Sequence, residues 1–408
     1  MTTVSIIYPA DPCGNIPGGI DTFIKGILDH SPAEFSYEIF GVTTDKDKYP
    51  PGQWHNIPVT GSQTFRFFPV LHENTYSKRS KIPLSFRFTL SILKYKSEIH
   101  GDLLEFHRFE PVIAFLRDSR PKSLFVHQDL QALRNVKSDI RWGVCPSLFY
   151  ALERFFMNRF DLIHCVHEES VAYYTRQLPD LGNNVHFTPT WYDPKLFFPL
   201  TAEKRHLARQ SLFERFKITD PTAQLLAFVG RLDFQKDPCF LVDAIKCLEG
   251  GTTPYHLLLI GDGVLREAAE QKVHELGMTN YIHFLGLQSR PQIAYTFQGC
   301  DGFLLGSNYE GMPIALLEAI ATGLPSFSTD VGEVKRIVNT KNGMVVTKGE
   351  PADFAATVSA WIQQKKEWMT PEFISHTVQQ FQPQKVLSRI FSRYHSLMEK
   401  QQTNQLSP

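Results

Sequence analysis

Continuous apolar runs alternate along the chain with segments of helical periodicity. In the first half the runs are VSIIY (4–8), SLFVH (123–127), DLIHCV (161–166) and VHFTP (185–189). In the second half they are LLAFVG (225–230), HLLLIG (256–261), IHFLG (282–286), GFLLG (302–306) and PSFST (325–329). Uninterrupted apolar strands are typical of a parallel sheet that helices cover on both faces. The pattern therefore predicts an α/β protein.

The alternation restarts near the middle of the chain, which favours two doubly wound domains over one large sheet. We expect a first domain at 1–198, a linker or hinge at 199–222 and a second domain at 223–384. Residues 385–408 are expected to form a final amphipathic helix and a loose polar tail, and the helix could pack back on the N-terminal domain.

Composition narrows the class of protein. The 408 residues include 42 Lys plus Arg and 42 Asp plus Glu, so no net field would gather nucleic acid. The apolar share of 42% is ample for large cores and excludes a disordered chain. The N-terminus lacks a signal-peptide pattern, and no apolar run approaches the roughly 18 residues that a membrane helix needs.

The six cysteines form no C-x-x-C pair and no cluster with histidines, so we expect small, reduced core residues: Cys13, Cys145, Cys165, Cys239, Cys247 and Cys300. Reduced cysteines and the absent targeting signals predict a cytoplasmic protein.

One stretch departs from the even charge balance. Residues 76–97 hold six basic residues and no acidic one, interleaved with Ile, Leu and Phe: Lys78, Arg79, Lys81, Arg87, Lys94 and Lys96. A basic helix with apolar neighbours suits an anionic membrane surface, so the protein could sit peripherally at the inner face of the membrane. A solvated helix that pairs with acidic residues elsewhere is the alternative.

Two glycines follow the first predicted strand, in Pro17-Gly18-Gly19-Ile20. Gly18 and Gly19 would let a phosphate-bearing ligand approach the backbone at the start of a helix, where N–H groups are free. The spacing is neither G-x-G-x-x-G nor a Walker sequence, so a plain tight turn remains the alternative.

Two cations follow the strand LLAFVG, because Arg231 and Lys236 lie in GRLDFQK. Positive groups just beyond the carboxyl end of a parallel strand lie where open sheets bind ligands. A guanidinium and an ammonium there would hold a diphosphate and neutralise the charge that builds on it as a bond breaks. Either residue alone could equally be an ordinary surface cation.

Two glutamates lie eight residues apart in EGMPIALLEAIATGLP. Glu310 precedes a helix N-terminus, and Glu318 lies among apolar residues. A carboxylate in such a stretch must be held by a specific donor, either ligand hydroxyls or a basic neighbour.

Taken in order, these motifs resemble the retaining glycosyltransferases of family 4. The matching segments are GGI (18–20), FVGRLDFQK (228–236), LLIGDGVLRE (258–267), IHFLGL (282–287) and EGMPIALLEAIATGLP (310–325), followed by STDVGEVKRIV and NGMVV. The resemblance implies the GT-B architecture, in which two Rossmann-like, doubly wound α/β domains face each other across a cleft. The N-terminal domain would then bind the acceptor and the C-terminal domain the nucleotide sugar.

The resemblance also implies roles for individual residues. Catalysis would involve Glu310 near the transferred sugar, His127 on its far side, and Arg231 and Lys236 at the diphosphate. Glu318 would bind the ribose, Leu287 would lie near the nucleobase, and the remaining donor contacts would be Gly18, Gly19, Gly311, Met312 and Ile314. His107, which ends the segment LLEFHRFEP, is the rival of His127, and a core histidine is the alternative for both.

Two segments depart from the family pattern or invite another reading. The usual Pro-Asn-Gly-Val-Asp is replaced by Pro189-Thr190-Trp191-Tyr192-Asp193, which we expect to affect the hinge or the acceptor side and no donor contact. Asp45-Lys46-Asp47 resembles the metal motif of the other major glycosyltransferase fold but lies in a hydrophilic loop, so we interpret it as a solvated turn.

The resemblance therefore implies transfer of a sugar from a nucleotide-diphosphate sugar to a hydroxyl acceptor, with retention of the anomeric configuration and without a metal or other cofactor. The acceptor would be a glycan or a lipid-linked sugar, as in polysaccharide or lipopolysaccharide synthesis. A nucleotide-sugar epimerase or a non-catalytic nucleotide-sugar binder remains the alternative. A phosphorylase would need a lysine that holds pyridoxal phosphate, and the sequence shows no motif for one.

Overall fold

The computed structural model of the chain describes residues 1–14, 19–58, 64–73, 82–127, 154–364 and 369–406. These residues divide into two compact α/β units. The first contains the described residues of 1–128 and 144–189 together with 383–408, and the described residues of the second are 190–382. Residues 199–222, expected as a linker, lie inside the second unit, where Ala202–Phe216 form a helix.

A mainly parallel sheet forms the centre of the first unit. Its order is β3-β4-β2-β1-β5-β6-β7-β8, with β3 antiparallel to β4. The strands are β1 Thr2–Ile7, β2 Phe35–Thr43, β3 His55–Pro58, β4 Thr64–His72, β5 Leu103–Phe106, β6 Lys122–Val126, β7 Leu162–Cys165 and β8 Val185–Phe187.

The apolar runs of the first half correspond to β1, β6, β7 and β8, whereas β2, β3 and β4 were not predicted. A polar cluster interrupts the apolar residues of β2 and β4. Glu38 in the middle of β2 is 4% exposed and accepts a hydrogen bond from Arg66 of β4 at 2.9 Å. Ser5 of β1 donates to the same carboxylate at 3.3 Å. Glu38 and Arg66 therefore break the apolar residues of the two strands into short segments, IFGV (39–42) and FFPVL (67–71).

Helices cover the first sheet. They are α1 Gly19–Asp29, α2 Leu84–Lys94, α3 Glu168–Gln177 and the C-terminal helix Pro383–Leu406. The C-terminal helix packs into this unit, because Ile390 and Tyr394 are fully buried and Phe391 stacks on Phe35 of β2 at 5.3 Å. The first unit is therefore built from both ends of the chain.

The second unit holds a fully parallel sheet of order β11-β10-β9-β12-β13-β14. Its strands are β9 Gln224–Val229, β10 Tyr255–Ile260, β11 Ile282–Gly286, β12 Gly302–Leu305, β13 Ser326–Thr329 and β14 Gly343–Val346. Its helices are α4 Ala202–Phe216, α5 Pro238–Cys247, α6 Arg266–Glu275, α7 Arg290–Gly299, α8 Ile314–Ala321, α9 Val334–Ile337, α10 Pro351–Gln363 and α11 Pro371–His376. The predicted doubly wound pattern is confirmed.

Within the described part of the chain, helices that combine the length and the apolar character needed to cross a bilayer are absent. The cysteines are more varied than expected. Cys165 and Cys300 are buried, but Cys247 is exposed on the end of α5, so the expectation of small core residues holds only in part.

Candidate active site

Each sheet has a point at which its strand order changes direction. In the second unit, β9 pairs with β10 on one side and β12 on the other, and in the first unit β1 lies between β2 and β5. Open α/β sheets bind ligands beyond the carboxyl ends of the strands at such points. Arg231 and Lys236 follow β9, and Glu310 follows β12. The predicted chemistry of the second half therefore meets at the switch point of its own sheet.

Lys236 and Glu310 form a nearly buried ion pair there. The ammonium lies 2.5 Å from Oε1 of Glu310, and the two side chains are only 15% and 5% exposed. The hydroxyl of Ser307 donates to the same oxygen at 2.6 Å. Gln235 donates to Oε2 over a long 3.4 Å. Oε2 therefore retains capacity to accept a further hydrogen bond from a ligand.

Arg231 is the exposed cation of this cluster. Its side chain is 69% exposed, and its guanidinium pairs with Asp233 at 2.9 Å. It also donates to Oε1 of Gln235 at 3.0 Å, and Gln235 in turn donates to Glu310. Gln235 thus connects the predicted cation to the predicted acid, a role that sequence reasoning missed although the residue lies within the motif GRLDFQK.

Glycines of the neighbouring strand shape the loop that carries Arg231. Gly261 has φ +139°, and a Cβ there would lie 1.9 Å from the carbonyl oxygen of Gly230. A Cβ on Gly263 would lie 2.4 Å from the carbonyl oxygen of Leu232. Only glycine permits this close approach. The segment LLIGDGVLRE is therefore needed to seat the loop after β9.

Lys348 ties three loops of this site together. Its ammonium donates to Asp237 at 2.7 Å, to the carbonyl oxygen of Gly306 at 2.8 Å and to Asn308 at 2.8 Å. Asp237 caps α5 immediately after Lys236, and Asn308 precedes Glu310 by two residues. The side chain of Lys348 therefore fixes the distance between the loops that carry the ion pair. No motif in the sequence pointed to it.

Glu318 belongs to a separate ion pair. It lies on α8 with 6% exposure, and its Oε1 accepts from Nη2 of Arg290, the first residue of α7, at 2.7 Å. Burial raises the pKa of Glu318, the positive charge of Arg290 opposes this, and Asp193 adds to it. The sequence left open whether ligand hydroxyls or a basic neighbour would hold this carboxylate, and in the structure the basic neighbour Arg290 does so.

The segment that departs from the family pattern contacts a residue predicted to bind the donor. The hydroxyl of Thr190 donates to the carbonyl oxygen of Met312 at 3.2 Å, and the Thr190 amide contacts Sδ of Met312 at 3.3 Å. The expectation that residues 189–193 touch no donor contact is therefore wrong. The cause is that this segment packs on the loop before α8, whose first residue is Ile314.

Gly332 of the segment STDVGEVKRIV supports the same loop. It has φ +52°, and a Cβ there would lie 2.3 Å from the carbonyl oxygen of Glu310. The amide of Glu333 also donates to the carbonyl oxygen of Gly311 at 2.9 Å. Leu287 is 57% exposed just after β11, with no described contact to the ion pairs.

The first unit brings other predicted residues to its own switch point. Gly19 begins α1, whereas Gly18 lies outside the described residues. Phe23 of α1 packs edge-on against His127, with ring centroids 4.9 Å apart. His127 is half-buried and hydrogen-bonds through Nε2 to Nδ1 of His107 at 2.8 Å. The two rival histidines are therefore partners, with His107 buried behind His127.

No group of three or more His, Cys, Asp or Glu side chains with metal-binding geometry occurs among the residues that the structure describes. In the segment Asp45-Lys46-Asp47 the side chains are exposed, and Asp45 accepts from the amide of Lys48 at 3.1 Å, which is the contact of a turn.

Comparison with known proteins adds to this geometry. Residues 211–404 match the family described as glycosyl transferases group 1. An uncharacterized glycosyltransferase of Methanocaldococcus jannaschii is 22% identical over 62% of this chain and 63% of its own length. A lipopolysaccharide 1,6-galactosyltransferase of Salmonella typhimurium is 30% identical over 38% of this chain and 44% of its own length. The chain thus spans less than two thirds of the curated relatives it matches.

Solved structures cover nearly the whole chain. Sucrose-phosphate synthase of Thermosynechococcus elongatus has a TM-score of 0.78 at 17% identity, covering 98% of this chain and 100% of its own. HepE of Anabaena, solved in complex with UDP-glucose, has a TM-score of 0.68 at 17% identity, covering 97% and 100%. The predicted GT-B fold is confirmed.

Proposed function

We propose that the protein is a glycosyltransferase that moves a sugar from a nucleotide-diphosphate sugar to a hydroxyl acceptor. The observation that carries this proposal is the Lys236–Glu310 ion pair, which lies beside the exposed Arg231 at the switch point of the second sheet. The match of residues 211–404 to glycosyl transferases group 1 supports it. So does the UDP-glucose bound by HepE, a protein of the same fold.

The charges of the cluster suit this chemistry. An ammonium has three N–H donors, and the Glu310 contact engages one, so Lys236 can also donate to phosphate oxygens. Arg231 supplies a second cation that solvent and ligand can reach. Together they stabilise the charge on a departing nucleotide diphosphate, the largest contribution in many transfer reactions. They supply the positive charge that a metal would otherwise bring, so we propose a reaction without metal or other cofactor.

Glu310 is proposed to orient the sugar through its free acceptor capacity, and Glu318 to bind the ribose beside Arg290. His127, Gly18 and Gly19 are proposed to contact sugar and diphosphate, Leu287 the nucleobase, and the backbone at Gly311, Met312 and Ile314 the phosphates. Glu310 is held by Lys236 and Glu318 by Arg290. We propose retention, as the resemblance implies, with the leaving phosphate accepting the acceptor's proton.

The acceptor is proposed to be a glycan or a lipid-linked sugar used in cell-surface synthesis on the cytoplasmic side of the membrane. The similarity to a lipopolysaccharide galactosyltransferase supports this class.

An exposed apolar face on α2 supports a membrane contact. Phe86 is 58% exposed, Leu90 51% and Leu93 46%, and the spacing places them on one side of the helix. Lys94 is exposed at the end of the same helix. Arg87, by contrast, pairs with Glu73 at 2.5 Å and is not available. Lys78, Arg79 and Lys81 lie outside the described residues. Apolar side chains bordered by a cation fit the surface of an anionic bilayer.

Liposome sedimentation tests this contact. Phe86→Glu with Leu90→Glu should reduce binding to vesicles of anionic lipid by at least tenfold, whereas Leu207→Glu on α4, a 57% exposed leucine, should not. Unchanged binding of the double variant would refute the membrane proposal. A change from dimer to monomer without vesicle binding by the wild type would assign the face to self-association instead.

The proposed activity is tested by incubating the protein with a panel of nucleotide sugars, with and without lipid-linked and free glycan acceptors. Release of nucleotide diphosphate should depend on the acceptor, should persist in EDTA, and should yield a product of unchanged anomeric configuration by NMR. Release of free sugar without any acceptor would contradict the proposal and point to hydrolysis or epimerase-like chemistry.

A further inference from the structure

A buried carboxylate lies behind the two histidines of the first unit. Glu105 of β5 is fully buried, and its two oxygens accept from two different side chains. Oε1 accepts from Nε2 of His107 at 2.9 Å, and Oε2 accepts from the hydroxyl of Tyr394 on the C-terminal helix at 2.6 Å. His107 then contacts Nε2 of His127 through its own Nδ1. The three side chains Glu105, His107 and His127 form a continuous row, which we call the histidine row.

The donor and acceptor at each contact follow from the carboxylate. An ionised carboxylate only accepts, so Nε2 of His107 must carry a hydrogen. A neutral imidazole has one N–H, so Nδ1 of His107 is then an acceptor, and Nε2 of His127 must donate to it. That hydrogen is the only one on a neutral His127. Its Nδ1 is therefore left with a bare lone pair, and no hydrogen bond to Nδ1 is found among the described residues.

The surroundings favour a neutral His127. His107 and His127 stack at 5.1 Å, Phe23 packs on both rings, and Phe125 stacks on His107 at 5.0 Å. Burial and the adjacent His107 lower the pKa of His127 well below its ordinary value. Tyr8, whose ring lies 5.7 Å from His107, and His164, which stacks on Phe125, also lie beside the row.

We propose that Glu105, acting through His107, fixes the tautomer of His127 so that Nδ1 presents a hydrogen-bond acceptor to a sugar hydroxyl. Glu105 and His107 are then positioning residues, and His127 is the contact. This inference rests on the proposed function for the identity of the ligand, but the tautomer itself does not. The selection that results is for a sugar with a hydroxyl donor at this position over one with a carbonyl or no group.

Nitrogen-15 NMR of histidine-labelled protein tests the tautomer without any substrate. The signals of His127 are assigned by their loss in His127→Gln. At neutral pH the wild type should show a protonated Nε2 and an unprotonated Nδ1 at this residue. A hydrogen on Nδ1, or on both nitrogens, would overturn the proposal.

Glu105→Gln tests the cause. With the amide oxygen accepting from Tyr394, the amide N–H would face Nε2 of His107. The tautomers of His107 and His127 must then both change, and His127 should carry its hydrogen on Nδ1. Tyr394→Phe is the matched control, because it removes the other contact of Glu105 and should leave the tautomer unchanged. If Glu105→Gln keeps the wild-type tautomer, Glu105 does not set it.

Kinetics separates this inference from the proposed activity. Glu105→Gln should raise the KM for the nucleotide sugar by about 2–10-fold, the effect of one neutral hydrogen bond, with a smaller change in kcat. Tyr394→Phe should leave the KM for the nucleotide sugar unchanged. An inactive wild type with the expected NMR spectrum would refute the proposed function and support the inference about the tautomer. An active wild type with the opposite tautomer would refute the tautomer and leave the proposed function standing.

Discussion

Arg290 donates from Nη2 to Oε1 of Glu318 over 2.7 Å, so the first residue of α7 holds the carboxylate in the apolar centre of α8. The side chain of Glu318 is 8% exposed and that of Arg290 is 28% exposed. Arg290 also lies 5.4 Å above the ring of Phe197. The pair fixes the packing of two neighbouring helices as well as the charge at one edge of the candidate site.

Removing the cation should therefore destabilise the second unit. Arg290→Ala leaves a buried carboxylate without its partner and should lower the free energy of unfolding by about 1–3 kcal/mol. Urea denaturation measures this change. Glu318→Gln in the Arg290→Ala background should restore part of it, since the amide carries no charge. Arg266→Ala, which breaks only partly exposed ion pairs, should change stability by less than about 1 kcal/mol.

Lys236→Ala should lower acceptor-dependent turnover by at least about 10²-fold while the fold is kept, because the proposed reaction would lose one cation at the departing diphosphate. Initial rates with saturating donor, together with circular dichroism, measure both effects. Lys246→Ala removes an exposed lysine of α5 that pairs with Glu249 and should leave the rate unchanged. A Lys236 variant with the wild-type rate would exclude the residue from the mechanism.

Gly261→Ala should be strongly destabilising, because its Cβ would meet the carbonyl oxygen of Gly230 at 1.9 Å and its φ is +139°. We expect a loss of at least about 2 kcal/mol in the free energy of unfolding, combining backbone strain and steric clash. Gly251→Ala is the control, since the nearest atom to its Cβ lies at an ordinary 3.5 Å. Equal melting temperatures for the two variants would contradict the packing described for the loop after β9.

Stability should fall as the pH drops below neutral. Burial is the first cause that holds the pKa of His127 and of His164 well below the ordinary value of 6.5. Below pH 6.5 the unfolded chain takes up protons that the folded chain does not, so the unfolded state is stabilised relative to the folded state. The melting temperature should therefore decrease between pH 7 and pH 5. His164→Gln should make this decrease shallower, and an unchanged slope would argue against a neutral, buried His164.

Much of the second unit could be predicted from the sequence because its signals are local. Its apolar runs are continuous, and each predicted loop follows a strand directly, so that Arg231, Lys236 and Glu310 had to meet once the sheet was parallel. The apolar residues within EGMPIALLEAIATGLP likewise predicted that the carboxylate of Glu318 is buried, although they did not identify its partner.

The remaining features depend on partners that are distant in sequence. Lys348 lies 111 residues from Asp237, and Arg290 lies 28 residues from Glu318, so nothing in either neighbourhood marks them. Glu38 interrupts the apolar pattern of β2, and the residue that pairs with it, Arg66, lies on another strand. The contact of Thr190 with Met312 spans 122 residues and reversed one expectation. Such pairings are decided by tertiary packing, which local patterns do not encode.

The hydrogen bond between Tyr394 and Glu105 joins positions 289 residues apart. During translation the ribosome has therefore made the complete second sheet before the helix that closes the first one emerges. Until then Glu105 lacks one of its two donors. The first unit can therefore be completed only after the C-terminal helix has been synthesised, although its sheet is the first part of the chain to be made.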